Sequence, residues 1–141
     1  MTGERTGGPA LFRLVRFWSR RWANQAAATA AGDVPHILVV EAVHAAGEAT
    51  VNAVAHQLGL DHSGASRMVR DATAGGYLVR AESDQDRRRV LLRLTEQGEE
   101  LLAGARNWQN QVFDELTGTW SAKDKAQFAG YLRRLAGELG V

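Results

Sequence analysis

The sequence predicts a mainly α fold with a small β-hairpin wing, arranged as a winged helix-turn-helix flanked by N- and C-terminal helices. Three observations support this fold class. A short helix, a glycine-containing turn and a second helix with two contrasting faces follow one another in the centre of the chain. Two short strands with a basic tip come directly after them. Apolar stripes at helical period precede and follow the whole unit.

The N-terminal third predicts a tail and two helices. Residues 1–9 are small and polar, and we expect them to form a flexible tail. An apolar stripe then predicts an amphipathic helix over about residues 10–31. The stripe comprises Leu11, Leu14, Val15, Trp18 and Trp22. Asp33 and the proline after it signal a second helix, over about residues 35–46, which is apolar on nearly every side and should be central.

The centre of the chain carries the predicted helix pair. A pattern with one apolar face predicts a short helix over residues 51–58, and the Gly-Leu-Asp sequence at 59–61 predicts a turn. The next helix has one stripe that should be packed and an opposite polar stripe that should face solvent. The packed stripe is Ala65, Met68, Val69 and Ala72, and the polar stripe is Ser63, Ser66, Arg67 and Arg70.

Two strands and two further helices complete the predicted fold. The strands span Tyr77–Glu82 and Val90–Thr95, and the loop between them contains three consecutive arginines. A long apolar stripe then predicts a helix. Ser121 and Asp124 have the spacing of a capping box and predict the start of the last helix.

Composition limits the range of functions. At 141 residues the chain has room for one domain and one hydrophobic core. The net charge is only +1, but seven arginines and four acidic residues lie between His62 and Arg93, which leaves that segment at +3. Such a basic cluster favours a nucleic-acid partner. Cysteine is absent, which excludes disulfides and thiolate metal sites.

The sequence also lacks the features of a membrane protein and of an enzyme. No apolar run is long enough for a membrane span or a signal peptide, so we expect no membrane partner and a cytoplasmic location. No grouping of nucleophile and base and no phosphate-binding glycine loop is recognisable. The four histidines are scattered without metal-ligand spacing. We therefore expect neither catalysis, nor a cofactor, nor a bound metal.

The central residue types suit contact with double-stranded DNA. Serine hydroxyls at 63 and 66 suit hydrogen bonds to phosphates or base edges, and Arg67 and Arg70 suit phosphate or guanine. Arg87 and Arg88 in the wing suit phosphate contact or insertion into the minor groove. For Arg89, contact with DNA and simple solvation are equally compatible with the sequence.

These segments resemble the MarR (multiple antibiotic resistance regulator) family. The resemblance is carried by Thr50-Val51-Asn52, Leu58-Gly59-Leu60, Ser63, Ser66-Arg67, Gly76-Tyr77-Leu78-Val79-Arg80, Asp84, Asp86-Arg87-Arg88, Leu94-Thr95-Glu96 and Gly98. It implies a single domain over residues 10–141, with a winged helix at about 34–96 and dimerisation helices at about 10–31 and 97–140. It also implies that Asp86 belongs to the DNA-binding wing.

Three positions depart from the family pattern. Gly64 stands where the family usually has threonine, and Asp61 replaces the usual serine at the helix cap. Asp61 should cap as well as serine does. Arg70 and Asp71 appear in the reverse of the usual order, which adds a cation to the polar stripe and leaves open which residue pairs with Asp86.

The resemblance implies a homodimeric transcriptional regulator that binds a pseudo-palindromic operator in a sequence-specific way. We expect it to be a repressor. The resemblance also implies that a small-molecule effector often releases DNA, and for this chain we expect a small aromatic or phenolic ligand. The candidate effector residues are Trp18, Trp22, His36, His44 and Trp108, for which plain packing is the simpler interpretation. The alternative function is a winged helix that contacts proteins without sequence-specific DNA binding.

Overall fold

The predicted fold class is confirmed in a computed structural model that describes residues 6–28, 33–83, 85, 86 and 88–141. These residues form six helices and one two-stranded antiparallel sheet. The elements are α1 (Gly8–Ala28), α2 (Val34–Ala46), α3 (Val51–Leu58), α4 (His62–Ala74), β1 (Leu78–Glu82), β2 (Val90–Leu94), α5 (Glu96–Leu116) and α6 (Ala122–Leu139). The last residues of the helix expected over 10–31 lie outside the described part.

The starts of α1 and α2 differ from expectation. Helix α1 begins at Gly8, so Pro9 lies in its first turn and not at the end of a tail. Proline fits there because its missing N–H would have no partner in a first turn. Asp33 occupies the N-cap position of α2 without a side-chain cap hydrogen bond. Its carboxylate lies 3.6 Å from Nδ1 of His36.

Helix α2 forms the centre of the core, as its apolar composition predicts. It contacts α1, α3, α4, α5 and β2. Val39 and Val40 are fully buried, and they join Val54 of α3 and Val69 of α4 in one cluster. Leu102 of α5 packs into the same cluster. The two short helices of the central unit therefore have their relative position fixed by α2.

A compact junction joins the end of α4, the base of the hairpin and the start of α5. The Thr95 hydroxyl donates to the Gly76 carbonyl at 2.6 Å, and the Thr95 amide donates to the Tyr77 carbonyl at 3.0 Å. The same hydroxyl oxygen caps α5 by accepting from the Gly98 amide at 3.0 Å. Gly98 is buried so closely against Tyr77 that an added Cβ would overlap the Tyr77 carbonyl oxygen.

The hairpin is also attached at its base to the α2–α3 turn. Leu78 pairs with Leu94 and Arg80 with Leu92 in the antiparallel register. The Leu92 amide donates to the Ala49 carbonyl at 2.7 Å. Leu78 and Leu92 are buried, so the base of the wing is part of the core.

No helix among the described residues has both the length and the apolar composition needed to cross a membrane. Only α2 and α3 taken together reach that length and composition, and the chain bends by 112° between them.

Two glycines of α5 provide a matched test of the junction. Gly98→Ala should lower the free energy of unfolding by about 2 kcal/mol or more, because the methyl group would displace Tyr77. Gly104→Ala should raise it by about 0.5–1 kcal/mol, because that glycine has open space around it and alanine favours helix. Urea unfolding at one protein concentration measures both. Equal effects of the two substitutions would contradict the close packing at the junction.

Candidate nucleic-acid interface

The N-terminus of α4 is built around Asp61. Its carboxylate accepts a hydrogen bond from the Gly64 amide at 2.7 Å and so caps the helix. A Cβ at position 64 would lie 2.8 Å from the same carboxylate oxygen. The two departures from the family pattern at this helix start are therefore coupled, since the absence of a side chain at Gly64 leaves room for the aspartate cap.

The predicted polar stripe of α4 lies together on one face. Ala65, Val69 and Ala72 are buried on the inner side, whereas Arg67 and Arg70 are exposed. An open groove of about 430 Å³ follows the polar side and is lined by His62, Ser63, Ser66, Arg67 and Arg70. We call these five residues the outer face of α4. It presents hydroxyl and guanidinium donors together with one imidazole.

The wing tip is ordered by hydrogen bonds to its own backbone. The hydroxyl oxygen of the buried Ser83 accepts from the amides of Gln85 and Asp86 at 3.3 and 3.4 Å. The Asp86 carboxylate accepts from the Arg88 amide at 3.0 Å. Asp86 thus shapes the turn that carries Arg88, which is exposed. The predicted site residue Arg87 lies outside the described residues.

Arg89 has a protein partner that the sequence did not reveal. Its guanidinium lies 3.1 Å from the Glu48 carboxylate in the α2–α3 turn. This exposed ion pair links the wing to the α2–α3 turn, whose Ala49 carbonyl also accepts the hydrogen bond from the Leu92 amide. Arg89 is therefore paired with an acidic residue of the chain. Arg88 projects from the wing tip and forms no such ion pair with any described residue.

The five candidate effector residues do not share one cavity. Trp18, Trp22 and Trp108 line a cavity of about 200 Å³ between α1 and α5, and the rings of Trp22 and Trp108 are 6.5 Å apart. His36 instead contacts Tyr77, with ring centroids 4.9 Å apart, and His44 is exposed near the end of α2. Neither histidine lines the tryptophan cavity, so the structure does not bring them together with the three tryptophans.

A larger open cavity, of about 720 Å³, lies between α2, α3, α5 and α6. Arg106 and Arg133 border it, together with Glu41 and Gln109. The Gln109 amide donates to the Glu41 carboxylate at 2.8 Å, and Gln109 also lines the tryptophan cavity. Within the described ranges, no three histidine or acidic side chains lie close enough together to hold a metal ion.

Comparison with known proteins agrees with this geometry. The model of the MarR family matches residues 33–89. A MarR family transcriptional regulator from Silicibacter pomeroyi superposes with a TM-score of 0.71 at 25% identity, over 92% of this chain and 86% of that one. The winged helix of this chain is therefore similar to that of the MarR family. Members of the MarR family are transcription regulators and not enzymes.

Other similar proteins extend the likeness. A MarR family protein from Bacillus stearothermophilus has a TM-score of 0.74 at 19% identity, over 98% of both chains. A mutant of MepR from S. aureus, bound to an oligodeoxyribonucleotide, has a TM-score of 0.58 at 20% identity, over 93% of this chain and 96% of MepR. The transcriptional repressor MprA of Escherichia coli is 33% identical over 82 residues, or 58% of this chain. The chain spans about half the length, 47%, of that curated relative.

The coupling between Asp61 and Gly64 is open to a double-mutant test. Asp61→Ala should cost about 1 kcal/mol of stability, because the cap is lost. Gly64→Ala should also destabilise the wild-type chain, because its methyl group displaces the carboxylate. In the Asp61→Ala background, Gly64→Ala should instead be neutral or stabilising, since alanine favours helix. Strictly additive costs in urea unfolding would contradict the coupling.

Proposed function

We propose that the chain is a sequence-specific DNA-binding transcriptional regulator, a repressor, that acts as a homodimer on a pseudo-palindromic operator in the cytoplasm. The observation that carries the proposal is the outer face of α4, which lies beside a wing whose tip exposes Arg88. Two similar proteins agree with it: one is a transcriptional repressor, and the other forms a complex with an oligodeoxyribonucleotide.

The outer face has the dimensions and chemistry of a major-groove surface. A helix of this kind fits the roughly 12 Å wide major groove of B-form DNA. Serine hydroxyls and arginine guanidinium groups donate to base edges and phosphates. Arg88 stands at the tip of the hairpin that follows this helix, where it would reach the sugar-phosphate backbone or the adjacent minor groove. Helix α4 would then determine sequence preference, and the wing would add affinity.

Three arginine variants test this division of roles. Arg67→Ala should weaken operator binding, by about 1 to 3 kcal/mol if it contacts a base. Arg88→Ala should weaken binding to all duplexes alike and reduce the salt slope by about 1, because a phosphate contact is lost. Arg134→Ala removes the same charge from an exposed site on α6 and should leave affinity unchanged. Fluorescence anisotropy at several salt concentrations measures all three.

Unchanged affinity and salt slope in both Arg67→Ala and Arg88→Ala would contradict DNA docking through the winged helix. That result would favour the alternative of a winged helix that contacts only proteins.

The homodimer is supported by apolar surface on the two terminal helices. In α1, the first part of the predicted stripe is exposed, whereas Trp18 and Trp22 are half-buried. In α6, no residue is fully buried. The exposed apolar residues are Leu11, Phe12, Leu14, Val15 and Phe17 in α1, and Tyr131, Leu132, Leu135 and Leu139 in α6. Exposed apolar residues in this number are typical of helices that form a subunit interface.

Adjacent residues of α6 provide a matched test of the dimer. Leu135→Glu should shift the protein toward monomer, because it places a charge in the apolar interface. Arg134→Glu introduces the same side chain one residue earlier, where 78% of the arginine side chain is exposed, and should leave a dimer. Sedimentation velocity at equal concentrations measures both. A dimer that persists in Leu135→Glu would contradict the proposed interface.

The proposed effector is an aromatic or phenolic compound in the tryptophan cavity. An apolar cavity of about 150 Å³ already accommodates benzene, so a cavity of about 200 Å³ suits one substituted ring. The described lining residues include Gln109 as a polar group and no charged side chain. This lining favours a neutral phenol over the anion that an arginine-lined site would select. To release DNA, the ligand must prefer the conformation that does not bind operator.

Trp120 lies outside the cavity, so a Trp120→Phe background keeps only the three tryptophans that line it. The fluorescence of this variant should report phenol binding. Trp22→Ala should abolish the response, and His36→Ala should preserve it, because His36 contacts Tyr77 instead. Operator DNA should weaken phenol binding by the same factor as phenol weakens DNA binding. A response that survives in Trp22→Ala would exclude this cavity as the site.

A further inference from the structure

His62 lies on the DNA-facing side of the helix pair, although its sequence context indicated no role. It is the first residue of α4, it is exposed, and it borders the same groove as Ser63, Ser66 and Arg67. A residue at this position moves with the outer face of α4. It is therefore placed to contact whatever the arginines and serines of that face contact.

The His62 ring is held by the other helix of the pair. Its Nδ1 lies 2.8 Å from Oδ1 of Asn52, which is the second residue of α3. A carboxamide oxygen only accepts hydrogen bonds, so Nδ1 must carry the hydrogen. In a neutral imidazole this leaves Nε2 without a hydrogen, as an acceptor. The contact thus selects both the orientation of the ring and its tautomer.

An imidazole with a free acceptor nitrogen has few suitable partners on DNA. Phosphate oxygens only accept, so a neutral Nε2 gains no hydrogen bond from the backbone phosphates. In the major groove, the exocyclic amino groups of adenine and cytosine are donors. In its neutral form the held ring therefore matches a base edge and does not match a phosphate.

We propose that His62 is a specificity-determining residue that accepts a hydrogen bond from an adenine or cytosine amino group, and that Asn52 is the positioning residue that fixes its tautomer. This inference deepens the proposed function and rests on it. It gives one residue of the outer face a role in discriminating between bases. That residue contributes little to the overall affinity for DNA. It also makes base selection depend on α3 as well as α4.

The test is selection of bound duplexes from a randomised pool, read by sequencing, with the full-length wild type and variants. Wild type should enrich adenine or cytosine at one fixed position in each half-site. His62→Phe keeps a ring but removes both nitrogens, and it should lose roughly fivefold or more of the discrimination at that position. Asn52→Leu should lose the same preference and should add nothing in the His62→Phe background.

Arg88→Ala is the control, since it should weaken binding to all sequences without changing the preferred base. A wild type that enriches no sequence would overturn the proposed function and this inference together. A wild type that enriches an operator, with an unchanged preference in His62→Phe, would overturn only the role of His62.

Nitrogen-15 NMR of the ring gives a readout that does not depend on DNA. Wild type and Asn52→Asp, which keeps an accepting oxygen, should show the tautomer with hydrogen on Nδ1. Asn52→Leu should shift His62 toward the tautomer with hydrogen on Nε2. The same tautomer in wild type and Asn52→Leu would overturn the positioning role of Asn52.

Discussion

The close packing of Gly98 against the Tyr77 carbonyl is the constraint on which the rest of the structure depends. Thr95 reinforces it by bonding to the α4–β1 turn and capping α5 with the same hydroxyl group. Three elements meet there: the end of α4, the base of the wing and the start of the long helix α5. Because no side chain fits at position 98, the angle at which α5 leaves the winged helix has little freedom.

This constraint gives the proposed function its geometry. Helix α4 and the wing share one base, so the outer face of α4 has a fixed position relative to the base of the hairpin that carries Arg88. The Ala49–Leu92 hydrogen bond and the Glu48–Arg89 ion pair attach the same wing to the α2–α3 turn. Helix α5 in turn reaches α1 through the contact between Trp108 and Trp22. A ligand between these tryptophans would act on the spacing of two winged helices through α5.

Much of the fold was predictable because its signals are local. The ranges of α3 and α4, the hairpin and the cap at Ser121 follow from periodicity, glycine positions and side-chain caps, and these depend on neighbouring residues. The polar stripe of α4 was predictable for the same reason. The motif around Thr95 and Gly98 was visible in the sequence, but its physical cause, a close contact with Tyr77, appears only in three dimensions.

Several features that sequence analysis missed depend on contacts between different elements of the fold. His36 and His44 were grouped with the tryptophans, but the direction in which α2 presents them is set by packing. The Arg89–Glu48 pair joins residues 41 positions apart, and the His62–Asn52 contact joins two helices through a turn. The hydrogen bond from the Arg88 amide to the Asp86 carboxylate is local to the wing, and the sequence pattern alone did not indicate it.

The central claim is that two rigid winged helices, held by a dimer, contact one operator. Hydroxyl-radical footprinting of the most strongly selected duplex tests it most directly. The account predicts two symmetric protected half-sites whose centres are about one helical turn, roughly 10 base pairs, or a multiple of that apart. Protection of a single unpaired site by one subunit, or no protection at saturating protein, would contradict it.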